Sequence, residues 1–347
     1  MKARNAAAFL LAGMFMCGCS ADTDAPAMTG SVAAEVPEPE ATAVTGGYTP
    51  RSGLLKCLYY EDERFQLYDE NSTVYDTGSA VLCGVAPHHL AAGHFIAGMY
   101  RTAAETDPDI ETVVLLAPMH YDSENTLTTS MKGWDTVFGT VECDTEVTEL
   151  FRSEAGAVCD DYMTEYDHSA SSHIPFISRY LPGAKAACLL VSPKESRDIP
   201  QRLSKLLYEI SRTKKCFFAF SIDFSHYLDP DKAEARDAET LPAVLNGDTA
   251  AIERFTNANV DTPYCLSTFV RLSELLGARI TKADHSNTYR VGSVPYYSRA
   301  LFPEGVTSYF VFLSSRSADF PAVSIRFPGI SYQFGKRFIQ SVRFDRL

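Results

Sequence analysis

The sequence is short of positive charge: 31 Lys and Arg stand against 44 Asp and Glu, a formal net charge of −13 over 347 residues. Neutralising a phosphate backbone needs a basic face, so nucleic acid is excluded as a partner. There is no Walker-type loop, no Gly-x-Gly-x-x-Gly following a strand, and no internal repeat, which removes the common nucleotide-binding and solenoid classes. No internal apolar run reaches the roughly eighteen residues that a membrane span requires. Local metal motifs are missing too, since neither finger-type spacing nor His-Glu-x-x-His occurs. A metal site in this chain must therefore be assembled from residues distant in sequence.

What is present is a set of short apolar runs that end in histidine. Ala80 to Val85 leads into Ala86-Pro87-His88-His89, and Thr112 to Leu116 leads into Ala117-Pro118-Met119-His120. Cys216 to Ile222 leads into Asp223-Phe224-Ser225-His226. Runs of this length without alternation suit strands buried on both faces, as in a parallel sheet. Proline cannot donate to the ladder, so pairing should stop there and the imidazoles should emerge at the carboxyl ends. That edge is where ligands bind in open α/β sheets.

Between the runs, helical spacing is read over His89–Glu105, Thr145–Ala157, Gln201–Lys214, Asp231–Leu245, Thr249–Phe255 and Leu266–Leu276. In the Gln201–Lys214 segment Leu203, Leu206, Leu207 and Ile210 share a face, and in the last helix Phe269, Leu272, Leu275 and Leu276 do. Further strands are expected at Ala184–Val191, Ala278–Ala283 and Thr307–Leu313, with Leu54–Tyr60 a strand or hairpin element. Alternating strands and helices predict a single α/β domain over 48–313, with a largely parallel central sheet flanked by helices.

The ends of the chain differ from this domain. Lys2 and Arg4 precede an apolar stretch from Ala6 to Met16, and Gly18 stands before Cys19. Residues 1–19 thus read as a secretory signal of the lipoprotein type ending at a lipidated Cys19, a plain cleaved signal being the alternative. Residues 20–47, rich in Ala, Thr, Pro and acid, read as a disordered tether. The chain is therefore expected to be an exported, membrane-anchored lipoprotein of a bacterial envelope. Residues 314–347 carry six Lys or Arg against two Asp or Glu and form a basic extension. Seven cysteines lie beyond the signal, an odd number that leaves at least one unpaired if the others form disulfides.

Candidate functional residues are His88, His89, His120, His168, His173, Asp223, His226 and Cys265. Of the eight histidines only His94 falls in mid-helix; the others follow strand ends or lie in the polar stretch from Glu165 to Phe176. Imidazole and thiolate suit iron, copper or zinc rather than calcium or magnesium.

Pro87-His88, Pro118-Met119-His120, His168-Ser169 with His173-Ile174-Pro175-Phe176, Asp223-Phe224-Ser225-His226-Tyr227 and Cys265 occur in the order seen in the Memo family. Over about residues 80–313 the chain resembles that family, whose bacterial members are called AmmeMemoRadiSam system protein B. The resemblance implies a fold similar to the class III extradiol dioxygenases, which hold non-haem Fe(II). It also implies metal ligands at His88, His120 and Cys265, with His89 an alternative to His88, and Fe(II) as the metal, copper or zinc being alternatives. His226 would be the acid/base group and Asp223 its orienting partner, with His168 and His173 lining the pocket. The implied function is a dioxygenase-like redox enzyme acting on a small molecule or peptide, with a radical-SAM enzyme as pathway partner. The alternative is a non-catalytic surface module that uses the same pocket for peptide or metal.

Overall fold

Strands form where the apolar runs predict them, because each run is buried on both faces. The computed structural model describes residues 51–60, 62–291 and 305–316. The expected signal, the tether and the extension from residue 317 onward lie outside the described residues. In chain order the strands are β1 (Leu55–Lys56), β2 (Val81–Ala86), β3 (Thr112–Pro118), β4 (Leu127–Thr129), β5 (Trp134–Thr136) and β6 (Gly139–Val141). They continue with β7 (Val158–Cys159), β8 (Lys185–Val191), β9 (Cys216–Ser221), β10 (Phe224–Leu228), β11 (Ala278–Asn287) and β12 (Val306–Arg316).

The main sheet runs β10-β12-β2-β9-β3-β8-β4-β7, with β11 also on β12. Its centre, β2-β9-β3-β8, is parallel. Successive residues of β3 serve opposite layers: Val113, Leu115 and Ala117 join one core, Val114 and Leu116 the other. Likewise Phe217 and Ala219 of β9 face the first layer, and Phe218 and Phe220 the second. A polar residue at either parity would be stranded without water, so the runs carry no alternation. The Gly93–Thr106 helix covers the first layer with Ile96, Met99, Tyr100 and Ala103; the Ile199–Ser211 helix covers the second with Leu203, Leu207 and Ile210.

The outer strands depart from parallel pairing. β12 pairs antiparallel with β2, β10 and β11, and β4 pairs antiparallel with β8. β11 runs on to Asn287, four residues past the expected end, through a bulge between Lys282 and Asp284. The Pro263–Leu275 helix buries Leu266, Phe269, Val270 and Leu272, whereas Leu275 is exposed. The expected apolar face is thus rotated toward the amino-terminal turns, which lie against the sheet. An Asp62–Asn71 helix stands in what reads as lead-in; only Phe65 and Tyr68 are buried, too few for a periodic signal. The described residues all fall within one compact unit. Among them, no helix is long and apolar enough to cross a membrane, and all seven cysteines are free thiols.

Candidate metal centre

The carboxyl ends of β2 and β3 deliver His88 and His120 to one rim, and Asp167, capping the short His168–Ser171 helix, brings His168 to the same place. One ligand atom from each of the three histidines lies within 4.8 Å of the other two. The His120 and His168 rings stack with centroids 4.3 Å apart, and His88 stands edge-on to both, at 4.9 Å and 5.2 Å.

Each imidazole is oriented by groups behind it. The Ser221 hydroxyl donates to the Ser169 carbonyl at 2.6 Å, so its oxygen is left to accept from His88 Nδ1 at 3.0 Å. With Nδ1–H so engaged, His88 presents the Nε2 lone pair to the site. His120 donates Nδ1–H to Asp167 Oδ1 at 3.1 Å and its backbone N–H to Oδ2 at 2.7 Å. Asp167 also accepts from Ser169 N at 3.0 Å. A carboxylate behind an imidazole fixes the ring and raises its basicity, the usual support of a metal-bound histidine.

Charge is distributed unevenly over the cluster. Burial holds His88 well below the ordinary histidine pKa, with repulsion from His120, His168 and His226 adding to it. Burial likewise brings His168 down to about 3. His120 is also disfavoured by burial, but Asp167, Asp261 and Asp223 outweigh that and push it up to about 9. Asp167 in turn resists its own burial through His120 and falls to about 2.

A pair of buried carboxylates completes the rim. Asp223 accepts the His88 backbone N–H on Oδ1 at 3.2 Å, and its Oδ2 lies 3.7 Å from His88 Nε2. Asp261 Oδ2 lies 3.5 Å from the same nitrogen and accepts Asp223 N–H at 3.2 Å. Burial and mutual repulsion raise Asp223 well above the carboxylate range; burial raises Asp261 to about 7. Asp261 Oδ1 and His226 Nδ1 are buried without a hydrogen-bond partner. Burial lowers His226 to about 3. It sits on an unusual backbone: Ser225 and Tyr227 on either side have φ of 25° and 53°. Ser225 Oγ is tied to Asp237 Oδ1 at 2.7 Å, and Asp237 Oδ2 to His285 at 3.0 Å. Gly305, at φ 128°, passes so close to Tyr227 that a Cβ would meet its carbonyl carbon at 2.6 Å. Only glycine fits there.

The expected residues fall into four groups. His88, His120 and His168 form the cluster, and Asp223 and His226 stand beside it; Asp223 makes its contacts with His88 rather than with His226. His89 and His173 are turned to other tasks: His89 Nδ1 bonds the Tyr309 hydroxyl at 2.5 Å, which favours His88 as the first ligand. Both ring nitrogens of His173 are taken, by Tyr100 Oη and Pro87 O, each at 3.0 Å, so it braces the turn that carries His88. Cys265 stands outside the three-histidine group; it lies in the apolar layer with Leu266, Phe269 and Val260, and burial pushes its thiol up to about 12. Asp167 and Asp261 were not among the expected residues. Asp167 carried a legible signal, an Asp preceding a Ser-rich helix start, whereas nothing local distinguishes Asp261.

Residues 66–294 match the family model of Memo-like proteins. The chain is 30% identical to a MEMO1 family protein of Pyrobaculum aerophilum over 183 residues, 50% of this chain and 64% of that protein. It is 30% identical over 182 residues to one of Methanococcoides burtonii, covering 50% and 66%, and 26% identical over 218 residues to one of Methanosarcina mazei, covering 60% and 76%. The chain thus spans less than two thirds of the length of the Pyrobaculum and Methanococcoides proteins.

Proposed function

The chain belongs to the Memo-like protein family, and on that premise we propose that it is an exported metalloprotein with a redox function centred on His88, His120 and His168. The observation that carries the reading is the convergence of three imidazole donor atoms within 4.8 Å at the carboxyl edge of the sheet. Burial and close approach keep His88 and His168 unprotonated, and neutral imidazoles offer their lone pairs to a cation. The donor set fits a transition metal: His88 and His120 each have Nδ1 engaged from behind, leaving Nε2 for the ion. Iron is the first candidate, with copper or zinc as alternatives.

Such an ion, when bound, would supply Lewis acidity and electrons for dioxygen-type chemistry at its open positions. The protein's own share is orientation and proton handling. Ser221 and Asp167 hold two of the rings, and His173 and Asp223 hold the backbone that carries His88. His226, half-buried with its Nδ1 unengaged, is the group beside the cluster that would take a proton from a small molecule or peptide seated at the rim. Envelope location rests on Lys2, Arg4, the apolar stretch after them and Gly18-Cys19; Cys19→Ala should abolish lipid incorporation and release the protein from membranes.

Dioxygen uptake by anaerobically iron-loaded protein, measured with a panel of catechols and other aromatic substrates, tests the enzymatic part. Turnover that His226→Ala abolishes while metal content is unchanged supports it. Uptake no faster than that of free iron, with every substrate, leaves a surface binding module in its place.

A further inference from the structure

Around His88 Nε2 the polar groups are incomplete in one specific way. The Ser221 hydroxyl proton is committed to Ser169 O, so His88 Nδ1 must be the donor of its pair and Nε2 carries a lone pair. That lone pair faces two acidic oxygens, Asp261 Oδ2 at 3.5 Å and Asp223 Oδ2 at 3.7 Å. Both separations exceed a hydrogen bond, so a proton does not bridge them. They are the separations of two ligands on one ion: bonds of about 2.1 Å meeting at about 110° place N and O about 3.5 Å apart.

We infer that Asp261 is a ligand of the metal held by the histidine cluster, giving a histidine–carboxylate set from which Cys265 is excluded. The inference rests on the metal-site reading above and adds the carboxylate to it. Asp261 rather than Asp223 is the ligand because of what each has left to give. Asp223 Oδ1 is spent on the His88 backbone N–H, locking the turn. Asp261 is 7% exposed at its side chain, its Oδ2 accepts one backbone N–H, and its Oδ1 has no partner. An unpartnered buried carboxylate oxygen is costly in the metal-free protein, and a cation beside it relieves that cost. Cys265 sits one helical turn beyond Thr262, among Leu266, Phe269 and Val260. Nitrogen and oxygen donors without thiolate favour Fe(II), Co(II) or Zn(II) over Cu(I).

Co(II) titration of the full chain, followed by absorption spectroscopy, separates the possibilities. Wild-type protein should show ligand-field bands with no sulfur-to-metal charge-transfer band, and Cys265→Ser should give the same spectrum and affinity. Asp261→Asn, which keeps an acceptor for the Asp223 N–H, should bind Co(II) at least about tenfold more weakly with an unchanged far-UV circular dichroism spectrum. A charge-transfer band in the wild type that Cys265→Ser removes overturns the inference, and this readout needs no Asp261 variant to fold. Wild-type affinity in Asp261→Asn overturns it too. His120→Ala tells the two levels apart. If that variant binds Co(II) as the wild type does, the histidine-cluster reading fails. If it does not bind while Asp261→Asn does, only the carboxylate assignment fails.

Discussion

The two ends of the parallel sheet bury carboxylates in opposite ways. At the amino-terminal edge, Asp144 accepts from Val147 N at 3.1 Å, Thr112 Oγ1 at 2.6 Å and Lys214 Nζ at 2.9 Å. Burial alone would raise its pKa, but these partners overcome burial and lower it. At the carboxyl-terminal edge, the Asp223 and Asp261 side chains are also buried, face each other and a neutral imidazole, and are raised. One edge has satisfied its polar groups and contributes to stability. The other keeps acceptors and a ring nitrogen unspent, at a cost to the apo fold, and so retains the capacity to hold a ligand.

The sharpest way to break this contrast is to remove a donor from the cluster. His120→Ala should weaken metal binding by more than the roughly 10–100-fold typical of losing an outer partner, and should also lower the melting temperature of the metal-free protein, because it leaves the buried Asp167 carboxylate without its cation. Competition titration against a chelator, paired with calorimetry, reads both quantities. Asp167→Asn comes next: the ring of His120 stays in place but loses its charged support, and affinity should fall roughly 10–100-fold.

At the opposite edge the pattern should invert. Lys214→Met removes the cation from Asp144, and unfolding by denaturant should show a loss of about 1–3 kcal/mol with metal affinity untouched. The pH dependence has a defined sign. Asp144 is lowered in the fold, so its contribution is fully present above the ordinary carboxyl pKa and is lost as pH falls through the lowered value. Asp144→Asn should therefore flatten the acid limb of the stability curve.

The smallest effect distinguishes the edges most cleanly. Asp261 is raised to about 7, so the folded metal-free protein holds that proton more tightly than the unfolded chain does. Stability then declines as pH rises from the ordinary carboxyl range toward 7. Asp261→Asn should remove that decline, raising the melting temperature of the metal-free protein by a few degrees at neutral pH and not at pH 4. A drop at neutral pH would mean that Asp261 is stabilising, like Asp144.

Much of the frame was legible because double-sided burial leaves a mark on composition. Val113 to Ala117 and Phe217 to Phe220 cannot be polar at either parity, and the Pro residues after β2 and at the last position of β3 mark where pairing stops. The antiparallel outer strands left no such mark, since β12, wholly apolar at its centre, reads the same in either direction. Within the site, His88 and His120 were legible from their place after the strands. His168 came forward into the cluster because Asp167, one residue earlier, is shared between the His120 ring and the helix it caps. Asp261 was not legible: its role comes from facing His88 across a long sequence separation, and no local spacing records that. Cys265 illustrates the converse. The family resemblance implies a ligand role for Cys265, and packing places its thiol among Leu266, Phe269 and Val260.

The most direct measurement of the central claim is metal content by mass spectrometry on the full chain purified without oxygen, wild type beside His120→Ala. About one iron, copper or zinc per chain in the wild type, absent from the variant, is the expected result. Wild-type protein that stays metal-free after loading, or a variant that retains the full complement, would contradict a metal centre at the carboxyl edge of the sheet.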